Sequence, residues 1–263
     1  MMLYDARENA HVRNAVLLAS GVTWILLLVQ PGSMRMFNYC PETDFKTMPL
    51  TGALQMLLAM TQTGFLAAGW VLMLIAMMSP VLIAPIRHIL LRTFKRRRAR
   101  SIVIFLVGYA AIWITLGGVL LTIELAIDLF APKSYLPAVA AFTFASVWQC
   151  SPIKQRCLNR CHSHIELAAF GASADCDALR FGATFATWCA GSCWAMMLFP
   201  MLLARGHVLA MAAVAVLIFA ERLDNPKPPC WRWRGMEKAI RIVIAQARIL
   251  LHRRPIRSCS LLY

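Results

Sequence analysis

The sequence predicts an all-α fold: a polytopic transmembrane helix bundle of about six spans, with an interfacial amphipathic C-terminal helix. Three observations carry that expectation. The 263 residues are 60% hydrophobic, whereas soluble domains are about 45–50% apolar. The mean hydropathy is +0.62. The basic residues behind the net charge of +15 cluster between long apolar runs, as cytoplasmic loops do under the positive-inside rule.

A span needs about 20 mostly apolar residues, and six segments qualify: 12–30, 64–86, 102–127, 135–153, 183–203 and 207–221. The first follows "MMLYDAREN" and runs into "LLLVQPG" without a small-x-small cleavage site, so it reads as a retained span and not a secretory signal. The fourth and sixth are short, which implies little tilt or local thinning of the bilayer. "DLFAPKSYLP" makes a tight connection between the third and fourth, and "ARG" joins the fifth to the sixth.

Lysine and arginine near the span ends set the orientation. The 92–100 loop holds six, the 154–180 connection four and the tail after Glu221 ten. The alternate loops, 31–63, 128–134 and 204–206, hold two, one and one. The expectation is a protein of the bacterial inner membrane with both termini cytoplasmic.

Two further segments are expected not to cross. Residues 48–64 are broken by threonine and glutamine and fit the outer interface. Residues 235–254 carry Arg241 and Arg248 on a short apolar run. They fit an amphipathic helix on the anionic lipids of the inner leaflet, with Trp231 and Trp233 as interface anchors. The chain then divides into a membrane domain, 1–225, and a basic cytoplasmic tail, 226–263. Its partners are the bilayer and those anionic lipids. Nucleic acid is discounted, because no aromatic residues interleave with the basic clusters.

Chemistry is concentrated in the thiols. On this topology Cys40 alone is in an outer loop, so a structural disulfide is disfavoured in the reducing cytoplasm. Packing and metal ligation remain. Cys189 and Cys193 are four apart and share a helix face. Cys157 and Cys161 repeat that spacing, with His162 and His164 beside them. Two such pairs supply enough thiolates for a tetrahedral site. Soft thiolate and thioether donors select Cu(I), zinc or iron–sulfur centres, and Met77, Met78, Met196 and Met197 tilt the choice to Cu(I), with zinc second. Free cysteine also packs as a small hydrophobe, so both readings stay open. The depth of Cys189 is a difficulty: it is nine residues past Arg180, while Cys157 belongs to a charged segment. One shared site requires the second pair to dip inward, or the fifth span to start late.

Glu221 has Arg222 as its nearest partner in sequence, and no deep ionisable residue marks an ion path. No phosphate-binding glycine loop, nucleophile elbow or His-Glu-x-x-His helix is present.

"LIAMMSPVLIAP" (74–85), "GYAAIW" (108–113), "WQCSPIKQRCLNRC" (148–161), "CAGSCWAMM" (189–197) and "LIFAERL" (217–223) occur in this order. Together they resemble the bacterial and archaeal family of predicted metal-binding integral membrane proteins, a domain of unknown function, over residues 64–225. The resemblance carries to Met77, Met78, Pro80, Gln149, Pro152, Lys154, Cys157, Cys161, Cys189, Gly191, Cys193, Trp194, Met197 and Glu221. Ser192 departs from it, standing where the family has a further cysteine, and His162 stands where it often has arginine. The family's last span is reduced here to the 235–254 segment.

The favoured function is binding or handling a soft metal, Cu(I), at a site drawn from Cys157, Cys161, Cys189, Cys193, Met77, Met78, Met197 and His162. The alternative is a metal-free accessory subunit packed against a larger membrane metalloenzyme complex. A third reading, a membrane redox enzyme, has no base–nucleophile pair to support it.

Overall fold

The computed structural model describes residues 2–29, 63–130, 134–163, 165–168, 170–203, 206–233, 240–242, 244–246 and 248, and every regular element among them is helical. The helices are α1 (Met2–Val29), α2 (Thr63–Met78), α3 (Ile83–Arg92), α4 (Arg98–Phe130), α5 (Leu136–Cys150), α6 (Pro152–Cys161), α7 (Gly171–Met201) and α8 (His207–Arg222). Short 3₁₀ turns at Ser79–Leu82 and Lys95–Arg97 join α2 to α3 and α3 to α4. Cys40, Cys259, His164 and nearly all of 48–64 lie outside the described residues. Of the 235–254 segment, the described residues are helical.

The organising element is α7. It packs most extensively on α4 and also touches α5, α6 and α8, while α1 and α2 pair beside them. Small residues allow the α4–α7 contact. A Cβ on Gly182 would run into the backbone of Phe105, and one on Gly108 into that of Leu179. Close backbone approach of this kind is how apolar helices gain dispersion energy without a hydrophobic driving force between them. The crossing is flanked by Phe105, Tyr109, Phe181 and Phe185, whose rings pack at centroid distances of 5.1 to 6.3 Å. α1 is peripheral by comparison: Leu18, Val22, Ile25, Leu28 and Val29 are all exposed.

Ser151 and Pro152 break α5 from α6. Proline has no N–H to continue the first helix but suits the first turn of the next, and the Ser151 hydroxyl accepts from the Ile153 amide at 3.1 Å as an N-cap. The two axes bend by 67°. That bend lays α6 against α7, with Cys157 and Cys161 both buried.

Six spans were expected, and the structure corrects the number. Among the described residues, three helical stretches are long and apolar enough to cross a membrane: Ala10–Val29, Ala68–Arg92 and Lys95–Ile127. The bent α5–α6 pair makes a fourth if it counts as one span. α8 has only 16 residues. α7 has 31 and starts well before the expected 183, but its apolar run is diluted by Thr184, Thr187, Trp188, Gly191 and Ser192. Of these, Ser192 is buried and belongs to the site described next, whereas Thr187 is exposed.

Candidate metal centre on the central helix

Cys189 and Cys193 sit one turn apart on the buried face of α7, 0% and 1% exposed. Cys193 Sγ donates to the Cys189 carbonyl at 3.1 Å and lies 4.0 Å from Met197 Sδ, a further turn along. The two thiols also interact with each other. Three soft sulfurs are therefore aligned along one stripe of one helix, as i, i+4 and i+8 spacing requires.

The other pair arrives from α6. Cys157 Sγ rests against Gly191, where any Cβ would stand 3.0 Å away. The glycine thus leaves room for the Cys157 sulfur to pack directly on α7. Trp148 of α5 donates its indole N–H to the Gly191 carbonyl at 3.2 Å, and the Arg160 guanidinium lies 4.8 Å over the Trp188 ring, so α5 and α6 are both tied to this part of α7. Trp194 points away from the thiols and packs on Phe144 and Trp148 of α5.

Arg222, the last residue of α8, reaches into the same place. Its Nη2 donates to Cys189 Sγ and to Ser192 Oγ, each at 3.1 Å. Ser192 in turn donates to the Cys189 carbonyl at 2.7 Å. The guanidinium also interacts with the Cys161 thiol, and Cys157 and Cys193 lie within range of its charge. Buried polar atoms normally find partners, yet Arg222 Nε, Tyr109 Oη and Trp113 Nε1 have no hydrogen bond of ordinary geometry. The Tyr109 hydroxyl borders Cys189. Unsatisfied polar atoms are thus gathered around the buried thiols.

A second polar cluster lies alongside. Lys154 Nζ, fully buried, contacts both oxygens of Glu221 at 2.9 and 2.8 Å. Gln149 bridges the two, accepting from Lys154 and donating to Glu221. Lys154 Nζ is also 3.7 Å from Met196 Sδ. Two expectations change here. Glu221 pairs with Lys154 and not with its neighbour Arg222, which turns to the thiols. Deep ionisable residues do exist, and Lys154, counted in sequence as a loop cation, is one of them.

The remaining expected site residues fall as follows. Met77 and Met78, at the end of α2, are buried in the same hydrophobic core as Cys161, Cys189, Cys193 and Met197. His162 caps α6: Nδ1 is 2.9 Å from the Leu158 carbonyl and Nε2 is 3.3 Å from the Arg222 carbonyl, so its ring faces the backbone. Among the described residues, no three His, Cys, Asp or Glu side chains form a ready metal cage. The soft donors instead form a bis-thiol with a neighbouring thioether. Arg222 and Ser192 are the members of the site that sequence reasoning missed; the serine was noted only as a departure, and the arginine only as a basic tail residue and a partner for Glu221.

No curated protein and no solved structure matches the chain. The family model of the PpoB2 copper chaperones matches residues 67–244, from α2 into the tail. The chain belongs to that copper chaperone family.

Proposed function

We propose that this protein is a membrane-embedded chaperone that takes up Cu(I) at Cys189 and Cys193 and passes it on, the copper being its cargo. One observation carries the reading: two thiols and the Met197 thioether are aligned on the most buried face of the central helix. Thiolate and thioether donors suit Cu(I), and a linear bis-thiolate needs only two close sulfurs. Cys157 and Cys161 of α6 serve as the exchange partners, and Met77 and Met78 belong to the same buried core. Zinc, which takes four ligands, suits this donor set less well.

The bundle lies in the bacterial inner membrane with both termini cytoplasmic. The basic bias of the alternate loops supports this, as does the apolar surface that α1 leaves exposed, which lipid covers more readily than water. Trp231 and Trp233, both exposed, anchor the start of the tail at the inner interface, and the basic tail meets anionic lipid there.

The test is copper analysis of the full-length protein purified in detergent under reducing conditions. One Cu(I) per chain is expected, lost in Cys189→Ser and Cys193→Ser. A protein that stays metal-free under Cu(I) loading and co-purifies with one large complex would overturn the reading in favour of an accessory subunit.

A further inference from the structure

We infer that Arg222 is a specificity-determining residue, a fixed internal counter-charge that makes the Cys189–Cys193 site accept a monovalent soft cation and reject divalent ones. The inference rests on the copper reading above and concerns what the site excludes.

The argument is a count of charge in a place that water does not reach. When Cu(I) binds, each thiol gives its proton to solvent and each sulfur bonds the cation; no electron moves. Two thiolates and one Cu(I) carry a net charge of −1. An unbalanced charge in a low-dielectric interior is costly. Arg222, held 3.1 Å from Cys189 Sγ and 3.1 Å from Ser192 Oγ, supplies +1 and brings the site to neutrality. The same two thiolates with a divalent ion are already neutral, and Arg222 then leaves the site at +1. Guanidinium does not shed its proton in proteins, so the site cannot relax that penalty by deprotonation.

The neighbouring charges do not upset the count. From α6, Lys154 is matched by Glu221 of α8 in a closed pair. α4 brings Tyr109 and Trp113 to the site, both uncharged. Ser192 matters in the same way. It accepts a hydrogen bond from Arg222 where a further thiolate would add negative charge and shift the balance toward a divalent ion.

The test uses Ag(I) as a redox-inert monovalent probe and Cd(II) as a soft divalent one, each titrated into the full-length protein by chelator competition and thiolate-to-metal absorption. The wild type binds one Ag(I) per chain and prefers it to Cd(II). Arg222→Gln lowers the Ag(I)-to-Cd(II) preference by about tenfold or more, the scale expected when a unit charge a few ångströms away is removed from a buried site. Arg222→Lys, which keeps the charge, holds the preference to within about threefold. Ser192→Ala, which loosens the guanidinium, moves it in the same direction as Arg222→Gln. An unchanged ratio in Arg222→Gln with stoichiometric binding overturns the inference while leaving the copper reading intact. If Arg222→Gln does not fold, a ratio lost in Arg222→Lys or unmoved in Ser192→Ala overturns it instead. A wild type that binds neither ion at Cys189 and Cys193 sinks the copper reading, and the inference with it.

Discussion

Lys154 Nζ lies 2.8 Å from Glu221 Oε2 with both side chains sealed from solvent. The pair joins α6 to the last turn of α8, the same turn that sends Arg222 to the thiols. A buried ion pair adds little net stability, because desolvation consumes most of the attraction, but removing one partner strands a charge. Its value here is positional. It fixes where α8 ends, and so where the guanidinium arrives.

Lys154→Met alone is therefore expected to cost about 3–5 kcal/mol, as is Glu221→Gln to a lesser degree, while the double substitution recovers much of the loss. Denaturation of the purified protein in detergent reads this directly. Additive losses in the double variant would show that the two residues do not act as a pair.

The α4–α7 crossing makes a second expectation. Gly182→Ala places a methyl group into the Phe105 backbone, which cannot swing aside, so destabilisation by about 1–3 kcal/mol is expected. Gly118→Ala on the same helix pair meets nothing within 4 Å and is expected to be neutral or slightly stabilising. Comparable thermal stability of the two variants would contradict the packing described.

Thiol accessibility divides the cysteines. Cys176 and Cys230 are exposed, while Cys189 and Cys193 are buried. A maleimide should modify Cys176 and Cys230 in the native protein and reach Cys189 and Cys193 only after unfolding. In intact cells a membrane-impermeant maleimide should leave Cys230 unlabelled until the membrane is opened. Labelling of Cys230 from outside would reverse the proposed orientation.

Asp175 pairs with Arg97 at 2.8 Å and with Arg100 at 2.7 Å, tying the basic loop to the start of α7. Both arginines reach solvent, Arg100 the more so, so Asp175→Asn should cost about 1 kcal/mol or less, and less still at high salt. A thermal melt at two ionic strengths checks it. A large, salt-independent loss would mean that Asp175 has a buried role.

The helical fold and the cysteine pairing were legible because they depend on local composition and on spacing along one helix. Residues 189, 193 and 197 share a face by periodicity alone. The break at Pro152 was not legible, since the expected fourth span ran through it to 153, and neither was the 67° angle that sets α6 against α7. The site's charges were not legible. Lys154 and Arg222 look like two more loop cations until α6 folds inward and α8 brings its last turn beneath α7. Pairing partners 67 residues apart, such as Lys154 and Glu221, are set by tertiary packing that no window of sequence contains. The span count differed because short or polar-diluted runs were counted as spans: α8 has only 16 residues, and the apolar run of α7 is broken by Thr184, Thr187, Gly191 and Ser192.

The chain leaving α8 is pinned soon afterwards. The Asn159 side chain donates to the Lys227 carbonyl at 2.7 Å and accepts from the Lys227 amide at 3.3 Å, and the Arg232 amide donates to the Cys150 carbonyl at 3.2 Å. Arg222 is held at one end by Ser192, and Lys227 at the other by Asn159, which makes the short run between them a strut of fixed length. The two anchors set the number of residues between them. One residue inserted between 223 and 226 would either tear the strut from Asn159 or withdraw the guanidinium from Cys189, and the site would register the change although no ligand had been touched.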